Sequence, residues 1–262
     1  MKISLFIPTY NAASSCHDIF LQTLQTIKDA NLYRVLIIDS SSVDNTVGMV
    51  ASFGFEYKII PTAEFDHGKT RELALELLSD SDIVVYLTQD VLLKDTTPIT
   101  KLIAPFFINE EVAGCYGHQL PHANADLFAQ HLRKFNYGDM SYVREYNDRY
   151  VFGMNCVFSS DSFAAYRVDV LKHIGGFPRH IIFGEDAYIF ARLLQAEHKV
   201  AYAADAICYH SHNYRLKDEF KRYFDVGVFH RSENWILQDF GHLSKQGMKF
   251  MFSELKFLCK TP

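Results

Sequence analysis

Ile83-Val84-Val85-Tyr86-Leu87-Thr88-Gln89-Asp90 is an apolar, β-branched run that stops at a carboxylate. Its composition reads as a strand buried on both faces. Such strands belong to sheets covered by helices on either side. In open α/β sheets, ligands bind at the strand carboxyl ends. A lone acid there points to a divalent cation, and a cation there points to a phosphorylated substrate. Asp is also a common cap for a turn or helix, so the rest of the chain must decide.

The segments around this run alternate strand and helix. Ile3 to Ile7 reads as a strand, followed by Pro8-Thr9-Tyr10-Asn11. A helix is expected from about Ser14 to Asp29, with Ile19, Phe20, Leu24 and Ile27 on one side. Val35 to Ile38 is a second strand, closed by Asp39 and the polar turn Ser40 to Thr46, before a helix towards Phe53. Tyr57 to Ile60 is a third. Gly68 precedes a helix over Thr70 to Leu78, which leads into the strand ending at Asp90. This order implies an α/β fold with a mostly parallel sheet and right-handed crossovers. The loops after the strands then gather on one edge and make one site.

The second part is less regular. Val112 to Tyr116 reads as a strand, and Gln119 to Tyr150 as loops and a short helix. Glu185 to Ala196 is an amphipathic helix with Ile189, Phe190, Leu193 and Leu194 on its buried side. Lys199 to Tyr202 and Ala206 to Tyr209 are two further strands, the second leading into His210-Ser211-His212. The expected organisation is one domain over residues 1–213 and a helical, aromatic and basic extension over 214–262.

Composition removes several alternatives. An apolar share of 48% is ample for a packed core, and a net charge of -5 gives no basic field for nucleic acid. The five cysteines form no CxxC pair and do not describe a disulfide framework, which fits a reducing cytoplasm. No stretch is long and apolar enough to span a membrane.

Four constellations carry chemistry. Asp39 with Ser41 and Asp44 follows the second strand, where an acid can accept hydrogen bonds from a ribose or a base; an ordinary turn explains it equally well. Lys69 and Arg71 sit in a first helical turn, where the dipole favours acids, so an anion bound between them would account for both, the alternative being a solvated basic face. Gly184-Glu185-Asp186 opens a helix. One of its carboxylates can serve as a general base while the other caps the helix or positions an acceptor, although an acidic first turn that simply complements the dipole accounts for both residues taken alone. His210 and His212 at a strand end offer imidazoles to a transition-type cation or, when protonated, hydrogen bonds to a phosphate; a structural role is the alternative.

The order of these stations resembles the inverting family-two glycosyltransferases of the GT-A fold, and most closely their bacterial rhamnosyltransferase branch. The resemblance runs to about Tyr214. It rests on Ile7-Pro8-Thr9-Tyr10-Asn11, Ile38 to Thr46, Phe65-Asp66-His67-Gly68-Lys69-Thr70-Arg71, Thr88-Gln89-Asp90, Phe163 to Arg167, Gly175-Gly176-Phe177, Gly184-Glu185-Asp186 and Tyr209 to Asn213. Asp66 and Lys69 depart from the branch, which carries asparagine and glycine there, and Glu72 stands where it often has asparagine.

The resemblance implies a sheet of GT-A type and a set of roles. Pro8, Thr9, Tyr10, Asp39 and Ser41 would line the nucleotide, and His67, Gly68, Lys69, Arg71 and Gln89 would lie near the nucleotide or donor sugar. Asp90 would bind Mg²⁺ or Mn²⁺ on the diphosphate, with His210 as second ligand and His212 in reserve. Asp186 would be the general base, with Glu185 beside the acceptor. The implied partners are a nucleotide-sugar donor, dTDP-L-rhamnose before a UDP-sugar, and a polysaccharide or lipid-linked oligosaccharide acceptor. The implied location is the cytoplasm or the inner face of the cell membrane.

Two other functions fit less well. A nucleotidyltransferase would want a glycine-rich basic loop after the first strand, which Pro8-Thr9-Tyr10-Asn11 is not. A non-catalytic binding subunit would be expected to lack Asp90, Asp186 or His210. Beyond Tyr214, patches such as Phe220-Lys221-Arg222-Tyr223-Phe224 leave three roles open: packing on the domain, contact in a homodimer, or contact with a membrane surface.

Overall fold

The computed structural model describes residues 1–179, 181, 183–241 and 244–260, with side chains in all of these but 244–246; the last two residues of the expected extension lie outside that set. Eight strands form one sheet. They are β1 (Ile3–Thr9), β2 (Arg34–Asp39), β3 (Glu56–Ile59), β4 (Ile83–Leu87), β5 (Val112–Leu120), β6 (Tyr142–Arg144), β7 (Phe163–Arg167) and β8 (Lys199–Tyr209). Their order across the sheet is β3-β2-β1-β4-β7-β5-β8-β6.

The run that decided the fold is the middle of this sheet. All five residues of β4 are buried, because alternate side chains enter two different cores. Val84 and Tyr86 join Phe6, Tyr166 and Phe190 on one face. Ile83, Val85 and Leu87 join Leu5, Ile7, Phe20 and Leu102 on the other. β1 pairs in parallel with β2 and β4, and β2 with β3, as the strand-helix alternation requires. The strand order reverses between β1 and β4, so the loops after these two strands flank a crevice.

Several expectations are corrected. β4 ends at Leu87, and Thr88, Gln89 and Asp90 form the turn beyond it. The helix expected from Ser14 begins at His17, after a separate turn over Ala12–Ser15. The cause is Asp44, whose carboxylate accepts the Ser14 N–H at 2.8 Å. The helix expected from Thr70 begins at His67, because Asp66 caps it by accepting the Lys69 N–H at 2.8 Å. Gln119 to Tyr150 is more ordered than expected. It holds the end of β5, a ten-residue helix over Leu127–Asn136, and β6. The two strands expected between Lys199 and Tyr209 are one strand, β8, with an irregularity in its pairing to β5 beside Gly117 and His118.

The sheet is parallel only in its first half and between β5 and β8. β7 runs antiparallel to both β4 and β5 and separates the two parallel parts. Beyond Tyr214 the described chain is helical, over Leu216–Ser232, Asn234–Phe240 and Ser244–Leu258. Phe229, Ile236 and Phe240 enter the core cluster that contains Phe6 and Tyr86. No described helix is long and apolar enough to cross a membrane.

Candidate active site

Gln89 links the two loops of the crevice. Its Oε1 accepts the Tyr10 N–H at 2.8 Å and its Nε2 donates to the Tyr10 carbonyl at 3.2 Å. Beside it, Asp39 is buried, and both its oxygens are engaged. Oδ1 accepts the Ser42 N–H at 2.7 Å, and Oδ2 accepts hydroxyls of Thr9 at 2.8 Å and Ser42 at 2.6 Å. The Ser41 hydroxyl donates to the Ile60 carbonyl. Asp39, Thr9 and Ser41 therefore build the walls of the crevice, half-buried Pro8 lies in β1, and the Tyr10 side chain is exposed at the mouth.

The turn after β4 places Asp90 against the segment after β8. Asp90 Oδ2 lies 3.3 Å from His210 Nε2 and 3.3 Å from His212 Nε2. Among the described residues these three side chains form a group whose ligand atoms all lie within 4.8 Å of one another. The order expected from sequence, His210 before His212, has no counterpart in distance. Atoms sharing one first-row cation at about 2.1 Å stand roughly 3 to 3.5 Å apart, which the distance from Asp90 Oδ2 to each imidazole matches. One carboxylate and two imidazoles also make a suitable donor set for Mn²⁺.

The electrostatics agree. Burial opposes ionisation of Asp90, but the His210 hydrogen bond and the attraction of both imidazoles hold its carboxyl well below the usual range. Burial and the neighbouring His210 push His212 down to about 4, against the pull of Asp90. His212 is then neutral at physiological pH, with a lone pair available to a cation. His210 is oriented from behind. Its Nδ1 lies 2.9 Å from Gln119 Oε1 and 3.3 Å from Arg133 Nη2, and Arg133 Nε donates to its carbonyl at 2.6 Å. The hydrogen bond between Nδ1 and Gln119 fixes the imidazole ring with its Nε2 towards Asp90. Gln119 is wholly buried and is itself fixed by donating to Ser160 Oγ at 2.9 Å.

Asp90, His210 and His212 line one side of a cavity of about 490 Å³, and Glu185 and Asp186 line it too. The helix that carries the two acids starts at Gly184, whose φ of 90° lies in the left-handed region. A Cβ on Gly184 would also sit 2.8 Å from the Phe229 ring, so glycine is needed there for conformation and for packing.

Glu185 and Asp186 diverge, as neighbouring helix positions must. Glu185 is buried, with Oε1 3.0 Å from Arg71 Nη1. Arg71 Nε reaches Asp161 Oδ2 at 3.1 Å, and Asp161 Oδ1 accepts the Tyr166 hydroxyl at 2.6 Å. Burial, then the nearby charges of Glu185 and Asp161, raise the Asp186 carboxyl well above the usual range. Burial and Glu185 also push Asp161 up to about 6, against the attraction of Arg71. Asp186 is thus a carboxylate with high proton affinity facing a cavity, as a general base requires.

The structure does not bring Lys69 and Arg71 together around an anion. Lys69 is exposed, whereas the Arg71 guanidinium is buried between two carboxylates, since positions two apart on a helix point to different sides. Gly68 is buried at a close contact, where a Cβ would lie 1.9 Å from the Pro178 carbonyl oxygen. His67 lines the cavity beside Arg71, with Nδ1 3.3 Å from Arg71 Nη1. Sequence reasoning missed Gln119, Arg133 and Asp161. The only local signal for any of them is the polar cluster Ser159-Ser160-Asp161-Ser162 ahead of β7.

Comparison with known proteins follows this geometry. Residues 4–175 match the model of glycosyl transferase family 2. The chain is 42% identical over 264 residues to the O-antigen chain rhamnosyltransferase RfbN of Salmonella typhimurium, with all of this chain and 82% of that protein covered. It is 42% identical over 261 residues to the O-antigen chain rhamnosyltransferase WbaN of Salmonella anatum, covering 99% of this chain and 82% of that one. Among solved structures, the mannosyltransferase PcManGT of Pyrobaculum calidifontis, in complex with GDP-Man and Mn²⁺, superposes with a TM-score of 0.59 at 14% identity, over 84% of this chain and 59% of that one. TarS 1–349 of S. aureus with UDP-GlcNAc gives 0.60 at 16% identity, over 84% and 61%. At such identities the likeness shows the fold, which is the GT-A glycosyltransferase fold, and this chain spans about three fifths of each of those structures.

Proposed function

This chain belongs to glycosyl transferase family 2 and is a glycosyltransferase, and we propose that it transfers L-rhamnose, with inversion, from dTDP-L-rhamnose to a hydroxyl of a surface-polysaccharide or lipid-linked oligosaccharide acceptor. The carrying observation is that one cavity is lined both by the Asp90, His210 and His212 group and by the Asp186 carboxylate. Rhamnose as the transferred sugar is supported by the two O-antigen chain rhamnosyltransferases that resemble the chain over its whole length.

Each residue then has a task. Tyr10 and the walls built by Thr9, Asp39 and Ser41 receive the nucleoside, and Gln89 holds the two loops at that crevice. Asp90, His210 and His212 would hold Mg²⁺ or Mn²⁺, whose positive charge stabilises the departing nucleoside diphosphate. Asp186 takes the proton from the attacking acceptor hydroxyl, so the bond to the new oxygen forms on the face of the sugar opposite the leaving group. The Arg71 ion pairs with Glu185 and Asp161 fix the helix that presents Asp186.

The acceptor side of this reading includes a membrane surface. On the Leu216–Ser232 helix, Leu216, Phe220, Phe224 and Val228 recur four apart and are all exposed. Met248, Met251, Phe252 and Leu255 make a similar exposed stripe on the Ser244–Leu258 helix. Lys217 and Lys221 adjoin the first stripe and Lys249 and Lys256 the second. Apolar stripes with basic neighbours suit a membrane bearing anionic lipid, where a lipid-linked acceptor would be met.

The donor is tested by incubating the purified chain and Mn²⁺ with dTDP-L-rhamnose, a UDP-sugar and a GDP-sugar in turn, and following release of the nucleoside diphosphate. Turnover with dTDP-L-rhamnose is expected. Turnover confined to a UDP- or GDP-sugar would overturn the donor.

A further inference from the structure

A second groove, of about 340 Å³, adjoins the cavity. The two share Ala129, Leu132, His212, Tyr214 and Arg222, so a ligand can run from one into the other. Resting on the glycosyltransferase reading above, we infer that this groove holds the acceptor oligosaccharide. Its terminal sugar lies in the cavity with the hydroxyl at Asp186, and the sugars before it lie in the groove.

The lining has the chemistry of a saccharide site. Phe128, Tyr214 and Tyr223 are large rings left 57%, 39% and 55% exposed where they border it. Ring faces take up the apolar C–H side of a pyranose, as they do other flat apolar surfaces. Glu219 and Glu254 line it as well; Glu219 lies 3.4 Å from Arg222 and Glu254 3.6 Å from His131, and each carboxylate keeps lone pairs that can accept hydrogen bonds from sugar hydroxyls. Acids at these positions disfavour an acyl chain. A neutral chain of hydroxyls meets both kinds of lining.

The walls also separate this groove from the donor half. They come from the Leu127–Asn136, Leu216–Ser232 and Ser244–Leu258 helices. The latter two follow residue 175, the end of the stretch that matches the family model. Two of the three helices that line the groove thereby lie outside the stretch shared with the family at large, and the third, with Phe128, lies inside it.

The test uses the full chain and, as acceptor, the lipid-linked oligosaccharide that accumulates in source cells whose own copy of this protein has been inactivated. Phe128→Ala and Tyr223→Ala are compared with wild type in three measurements: KM for the acceptor, affinity for dTDP with Mn²⁺, and slow hydrolysis of the donor without acceptor. The acceptor KM should rise about 10-fold in each variant, a size set by the loss of one ring contact. Affinity for dTDP and donor hydrolysis should stay at wild-type levels, which also shows that the variants fold. An unchanged acceptor KM in both variants, with wild type active, would overturn the groove assignment. So would a parallel loss of dTDP affinity, which would give the groove to the donor. A wild-type chain that transfers nothing from dTDP-L-rhamnose to this acceptor would instead overturn the proposed function.

Discussion

Arg71 Nη1 lies 3.0 Å from Glu185 Oε1, tying the His67–Leu77 helix to the helix that carries Asp186. The same guanidinium reaches Asp161 at 3.1 Å, and all three side chains are buried. Removing the cation would leave two buried carboxylates facing one another. Arg71→Met should therefore cost about 3–5 kcal/mol of folding stability, the usual penalty for breaking a buried ion pair from one side. Urea unfolding of the variant measures it. A loss below about 1 kcal/mol would show that the cluster does not brace the two helices.

Asp186→Asn should leave dTDP binding intact and lower turnover by ~10²-fold or more, the scale of lost general-base help. The same substitution makes a pH prediction. Asp186 has a folded pKa raised above its unfolded value, so its contribution to stability is fully present below about pH 4 and is lost as pH rises through the raised pKa. Asparagine has no proton to lose. The two proteins should melt together near pH 4, and the variant should become progressively the more stable of the two as pH rises. A melting difference that does not change with pH would contradict the proton-linked state of Asp186.

How much of this could be read from the residues alone depends on whether the signal was local. The β4 run was legible because both its faces are buried, which makes every residue apolar. The acids at strand ends were legible because a carboxylate breaks such a run. β7 was not read as a strand: Phe163-Ala164-Ala165-Tyr166 is short, and its antiparallel place between β4 and β5 is set by partners about 50 to 80 residues away. Gln119 was hidden for a similar reason. It is a polar residue at the end of a strand, and its partner His210 lies 91 residues further on. Arg71 was noticed for a charge at odds with the helix dipole. The explanation is two buried acids, one 90 and one 114 residues away in the chain, and no free anion is needed to account for it.

Gln119 gives a prediction that separates positioning from direct ligation. Gln119→Leu removes the acceptor for His210 Nδ1 while keeping Asp90, His210 and His212. Affinity for Mn²⁺ in the presence of dTDP should fall about 10- to 100-fold, as for other residues that orient a ligating imidazole. Gln119→Glu, which retains an acceptor oxygen, should restore part of it. Equal affinity in wild type and Gln119→Leu, measured by titration calorimetry, would remove Gln119 from the site.

The exposed stripes beyond Tyr214 predict membrane contact that depends on apolar side chains as well as charge. Wild type should float with vesicles containing phosphatidylglycerol, and Phe220→Asp with Phe224→Asp should not. Flotation of both proteins alike would exclude this face. Concentration-dependent self-association lost in the same double variant would assign it to a second copy of the chain.

The central claim is that Asp90, His210 and His212 form a cation site completed by the donor's diphosphate. A single carboxylate with two imidazoles balances little of a divalent charge, so the site should bind metal weakly alone and more tightly once the diphosphate adds its oxygens. The direct measurement is the affinity for Mn²⁺ with and without dTDP, in wild type and in Asp90→Asn. Wild type should gain at least about 10-fold from dTDP, and Asp90→Asn should lose most of that gain. A wild-type affinity that dTDP leaves unchanged, or a gain that survives in Asp90→Asn, would contradict the account.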